Sequence, residues 1–92
     1  MMYPYITLGE DIEIVHSHLI ENDGIGEVEV HFERPIDYGF DSARCVLPSY
    51  KWIIRKGFTD KEIEMFTELL KCNAHLLYKY AASGGMKIAQ FA

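Results

Sequence analysis

The sequence predicts an α+β domain: a small antiparallel β-meander of about four strands packed on one long C-terminal helix, with a short helix at the junction. Three observations carry that expectation. Residues 27–33, "EVEVHFE", alternate polar and apolar side chains with a period of two, as a half-buried strand does. Residues 60–83 repeat their apolar side chains at helical spacing. Between these stretches the chain changes character once, at Leu47-Pro48, with no repeat, low-complexity tract or linker. A chain of 92 residues is a single domain. It divides into a strand-rich part (1–47), a helical part (48–85) and a docking tail (86–92).

The elements follow in order. "YPYITL" is short and rich in aromatic and β-branched residues, which suits a first strand. Gly9-Glu10-Asp11 offers a turn, and "DIEIVHSHLI" reads as the second strand. "ENDG" is a strong turn signal, because Asp23-Gly24 tolerates positive φ. In the third strand, "GEVEVHFERP", Val28, Val30 and Phe32 share one face and Glu27, Glu29, His31 and Glu33 the other. Pro35 ends it, since proline cannot donate to a ladder. "DYGFD" reads as a loop and "SARCVL" as the fourth strand.

Past Leu47, Pro48 suits a first helical turn. "SYKWIIRK" gives about two turns of helix, closed by Arg55 and Lys56 and capped by Gly57. Because Tyr50, Trp52 and Ile54 also alternate, a strand is the alternative over 49–56. Thr59-Asp60-Lys61-Glu62 matches a capping box, with Phe58 and Ile63 as its hydrophobic staple. Ile63, Phe66, Leu70, Ala74, Leu77 and Ala81 then form an apolar stripe that runs to the stop at Gly84-Gly85. At 1.5 Å per residue such a helix is about 36 Å long. It would overhang so small a domain or break near Cys72-Asn73, and an overhanging stripe favours a homodimer through the long helix. Met86, Ile88 and Phe91 mark the tail as a segment that docks on the sheet or on a second subunit.

Composition bounds function. The hydrophobic share of 49% and charged share of 25% fit an ordinary globular protein rather than a disordered one. No apolar run approaches the roughly 20 residues of a bilayer span. The first residues, "MMYPYITLGED", carry no basic region, so no signal peptide is expected and the expected location is cytoplasmic. Cys45 and Cys72 fit no CxxC or zinc-ribbon spacing and read as free thiols. The net charge of −5 is unevenly placed. Residues 1–46 hold ten acidic and two basic residues, against four and seven in residues 47–92. Direct nucleic-acid binding by the first half is disfavoured, because like charges repel the phosphate backbone. A basic protein partner is the natural expectation.

The candidate site is a mixed His/Glu surface. A four-residue "ENDG" connection pairs even-numbered residues of the second strand with odd-numbered residues of the third. His16 and His18 then share a face with Glu27, Glu29, His31 and Glu33, and these six are the candidate interaction residues. Zinc, nickel or copper accept imidazole and carboxylate ligands, so His16, His18 and His31 are also metal candidates. A solvated face of cross-strand His–Glu pairs is the plainer reading, and no metal or other cofactor is expected. Cys72 and His75 are neighbours at i, i+3, but no orienting third group accompanies them, so catalysis is not expected. Trp52, Tyr50, Lys51, Arg55 and Lys56 form a basic–aromatic cluster of the kind that stacks on single strands, yet a lone tryptophan at such a junction is more often core. The chain holds no Walker loop, GxGxxG, GxSxG or HExxH.

"LLKCNAHLLYKYAASGG", downstream of Leu47-Pro48, resembles the C-terminal part of a family of short uncharacterised bacterial proteins, a domain of unknown function. Leu76-Leu77, Tyr80 and Ala81 stand where that family has a Leu-Leu pair, a tryptophan and an alanine, and His31-Phe32 stands where it has a His-Phe motif. The chain departs from the pattern in its tyrosine and in the extra residues "SYKWIIRKGFTD". The resemblance implies a small cytoplasmic protein, of a family often encoded beside toxin–antitoxin-like genes, with no established catalytic residues. The resulting expectation is a non-enzymatic protein-interaction module, antitoxin-like or a mobile-element accessory. Two alternatives stand beside it: an acidic inhibitor of a nucleic-acid-binding enzyme, and a metal-binding or metal-sensing domain using the hairpin histidines.

Overall fold

The structure, a computed structural model, describes residues 2–9 and 11–85. Along the chain run β1 (Met2–Leu8), β2 (Ile12–Ser17), β3 (Ile20–Asn22), β4 (Ile25–Ile36), β5 (Gly39–Leu47), β6 (Lys51–Lys56) and α1 (Asp60–Ser83). The strands form one antiparallel sheet in the order β1-β2-β4-β5-β6, with the short β3 also paired to β4. The α+β expectation holds, with six strands among the described residues in place of about four.

β4 is the spine of the sheet because its alternation runs without interruption. Val28, Val30 and Phe32 are fully buried, while Glu29, His31 and Glu33 between them are not. Pro35 does not end this strand. It pairs with Phe40 in a hairpin that closes through Ile36 and Gly39, so the expected "DYGFD" loop is mostly strand. Proline is tolerated there because β2 reaches only as far as Glu33, which leaves the Pro35 nitrogen on an unpaired edge.

The expected short helix at 49–56 is a strand. The Leu47–Pro48 peptide is cis, the chain turns through Ser49 and Tyr50, and β6 pairs back along β5. Pairing β6 with β5 satisfies the outer backbone groups of β5, whose side chains Ala43, Cys45 and Leu47 lie in the core. A two-turn helix would leave those groups bare. Lys51, Arg55 and Lys56 then protect the sheet edge rather than cap a helix. Gly57 is the exit from this strand, at φ 89, where an added Cβ would collide with Asp41.

α1 begins on the expected capping box: Glu62 N–H donates to Thr59 Oγ1 at 3.1 Å and Thr59 N–H to Glu62 Oε1 at 2.9 Å. It runs unbroken past Asn73 and ends at Gly84, which is left-handed at φ 81. Asn73 stays helical because its amide donates to Leu69 O, one turn back, while its Oδ1 accepts from Tyr5 Oη at 2.6 Å. The apolar stripe of α1, made of Ile63, Phe66, Leu70, Leu77 and Ala81, is buried against the sheet from near the start of the helix to near its end, so the expected overhang of that stripe is not found. Phe66 stacks on Phe32 with ring centroids 4.3 Å apart and meets Phe58 edge-on at 5.1 Å. Such pairs add about 0.5–1.5 kcal/mol each to the area they bury. The expected docking tail, residues 86–92, lies outside the described residues.

Candidate functional site

α1 covers one face of the sheet, and among the described residues no element covers the other. That open face is built from the residues that alternate with the core. Pairing places Val15, His31, Arg44 and Ile54 side by side in one row across β2, β4, β5 and β6. In a flanking row Glu13 lies directly opposite Glu33, which pairs in turn with Ser42 and then Lys56. In the row on the other side Glu29, Val46 and Lys51 pair in succession. His31 Nε2 is 3.2 Å from Glu29 Oε1, and Arg44 Nε approaches the same oxygen at 3.6 Å. Glu29, Glu33 and His31 are therefore together as expected. Glu27 lies at the end of β4, where Asn22 Nδ2 donates to its Oε1 at 3.2 Å.

His16 does not join them, and no hydrogen bond or ion pair links the His18 side chain to them among the described residues. His16 is fully buried on the helix side of the sheet, and His18 is exposed between β2 and β3. The expected even-with-odd pairing holds near the turn, where Ile20 faces Glu27. Farther along, His16 faces Val30, so four steps of one strand match three of the other. The extra residue is a bulge at Ser17–Leu19, and it reverses the parity of everything before it. Polar groups hold the bulge in place. Ser17 Oγ accepts from Glu29 N–H at 3.0 Å and donates to His18 O at 2.7 Å. Leu19 N–H donates to Ala81 O, near the end of α1, at 3.2 Å. His16 Nδ1 donates to Ser17 O at 2.8 Å, since a carbonyl can only accept. Its ring lies beside Tyr3 and Tyr5 at centroid distances of 5.7 and 6.3 Å. Among the described residues its Nε2 has no partner. The i, i+2 chelating pair is thus split between core and surface. Among the described residues no three His, Cys, Asp or Glu side chains converge as metal ligands.

The remaining candidates fall into place individually. Cys72 and His75 both lie on the exposed side of α1. Cys45 is buried, and burial pushes its thiol up to about 11. Trp52 belongs to the core: its indole N–H donates to Thr67 Oγ1 at 3.2 Å and its ring lies 5.6 Å from that of Phe32. Within the resembling segment, Leu77 and Ala81 are buried, while Leu76 and Tyr80 are half-buried.

Sequence reasoning passed over Arg34. Its guanidinium donates through Nε and Nη2 to Asp41 Oδ2 at 2.9 and 2.8 Å, and through Nη1 to Glu62 Oε2 at 2.7 Å. It also lies over the Phe58 ring, 4.7 Å from the centroid. The Thr59 backbone N–H, followed by the Arg34 guanidinium, holds the Glu62 carboxyl below its ordinary value. Arg34 ties the β4–β5 hairpin to the start of α1. The sequence signal was an arginine at a core-parity position of an alternating strand, which needs a buried or half-buried partner.

No family model, curated protein or solved structure matches the chain. No helix among the described residues is long and apolar enough to cross a membrane.

Proposed function

We propose that this protein is a non-enzymatic interaction module that offers the open face of its sheet to a basic protein partner. The observation that supports this most is the pair Glu13 and Glu33. They lie directly opposite each other, and among the described residues neither has an ion-pair partner. Like charges set opposite each other destabilise a sheet. Their placement is better matched to an external cation than to the fold, and Glu29 extends the same acidic surface. An antitoxin-like or mobile-element accessory role in the cytoplasm is the concrete setting, and it rests on the resemblance of the helix and the His-Phe motif.

The test is capture of partners from the native host by wild type and by a Glu13→Lys/Glu29→Lys/Glu33→Lys variant. The reading expects a basic protein on the wild type that the variant loses and that rising salt elutes. Identical partners on both forms would sink it.

A further inference from the structure

The open face is not uniform across its width. Its acids, Glu13, Glu29 and Glu33, stand on β2 and β4, and Lys51 and Lys56 stand on the edge strand β6. The division holds in the two outer rows, while the middle row runs Val15, His31, Arg44 and Ile54 and carries its basic side chains at the centre. One row begins with Glu13 and Glu33 and ends with Lys56. The next begins with Val15 and ends with Ile54, which is 37% exposed although apolar. The third has Glu29 toward one side and Lys51 at the other.

A face patterned in this way is complementary to itself. A two-fold axis parallel to the strands, passing over the seam between β4 and β5, lays each row on the same row of a second copy in reversed order. Glu13 then meets the partner's Lys56, Val15 meets the partner's Ile54, Glu29 lies beside the partner's Lys51, and in the middle row His31 meets the partner's Arg44, each held by the Glu29 of its own chain. Both acid–base matches occur twice, because the contact is isologous. Two sheets packed face to face in this manner stand about 10 Å apart, within reach of these side chains.

We propose that the first occupant of this face is a second copy of the chain, packed sheet to sheet about that axis. The proposal rests on the reading that the open face is the working surface, and the cations it sets against the acids are those on β6 of the second copy, although the chain as a whole carries −5. Four strands about 4.8 Å apart, crossed by three rows about 6.8 Å apart, give on the order of 400 Å² of sheet per copy. That is about half of a standard interface, so the dimer is weak and a better basic partner displaces it.

The test is sedimentation and light scattering of the full chain from roughly 10 µM to 1 mM, a range suited to weak association, at low and at raised salt. Wild type is expected to pass from monomer to dimer, with the midpoint moving to higher concentration as salt rises. Two charge-reversed variants are then compared, Glu13→Lys/Glu33→Lys and Lys51→Glu/Lys56→Glu. Each alone sets like charges against like and stays monomeric, while their equimolar mixture dimerises. A wild type monomeric across the range would overturn the proposal. So would a salt-insensitive dimer, or variants that each dimerise as wild type does, which would place the contact on the helix or the tail. The salt series on wild type decides the matter even if a variant folds poorly. Foreign-partner capture is read separately, so loss of the dimer with capture intact rejects this inference and leaves the proposed function standing.

Discussion

Cys45 and Cys72 show how far position changes one side chain. The Cys45 thiol is buried between Val30 and Trp52, its cross-strand neighbours, and desolvation raises it to about 11, so it is neither a nucleophile nor a ready ligand at neutral pH. Cys72 is exposed on the outer side of α1. A thiol reagent at neutral pH is expected to label one cysteine in the native protein, at position 72, and a second only in denaturant. Mass spectrometry of the labelled peptides reads the site, and native labelling at Cys45 would contradict its burial. The free state of both thiols was legible from their spacing together with the expectation of a reducing environment. The contrast between them was not, because burial depends on which strand lies next door.

At the scale of an element, the bulge at Ser17–Leu19 decides more than any other local feature. It places His16 in the core and turns Val15 outward, and Ser17 stabilises it by accepting the Glu29 N–H that the extra residue leaves without a ladder partner. Ser17→Ala strands that N–H and is expected to cost about 1–3 kcal/mol in urea unfolding. His18→Ala, at an exposed position beside it, is expected to change stability by less than about 0.5 kcal/mol. Equal costs would mean that the serine does not hold the bulge. The capping box at Thr59–Glu62 was visible in the sequence because all its parts lie within four residues. The strand at 51–56 was not, since "SYKWIIRK" carries both a helical and an alternating pattern. The unpaired edge of β5 selects between them, and that edge exists only once the sheet has formed.

At the scale of the molecule, the Arg34–Asp41–Glu62 cluster joins the far end of the β4–β5 hairpin to the beginning of α1. The Glu62 carboxyl, held down by the Thr59 N–H and by Arg34, titrates lower in the folded chain than in the unfolded one. The unfolded chain therefore binds more protons across that interval, and stability falls as pH falls. The contribution is complete above the ordinary carboxylate value of about 4.3 and disappears below the depressed folded value. Glu62→Gln keeps an oxygen for the cap and loses the charge. Its deficit relative to wild type in thermal unfolding is expected to be full near about pH 7 and to shrink by about pH 3. A deficit independent of pH would show that the charge plays no part. The uneven charge of the chain is also a whole-molecule matter. Its acidic first half supplies β1 to β4, its basic edge is β6, and the sheet order sets them on opposite sides of one surface.

The sequence by itself determined what is local: the alternation of β4, the capping box, the helix stop at Gly84, the α+β class and the acidic face around Glu29 and Glu33. Tertiary structure decided what is paired: the six-strand count, the strand at 51–56, the fate of His16 and the partners of Arg34. The physical reason is that alternation fixes which residues of one strand share a side. Only the ladder to a neighbouring strand fixes which side that is, and one extra residue at Ser17–Leu19 was enough to reverse it.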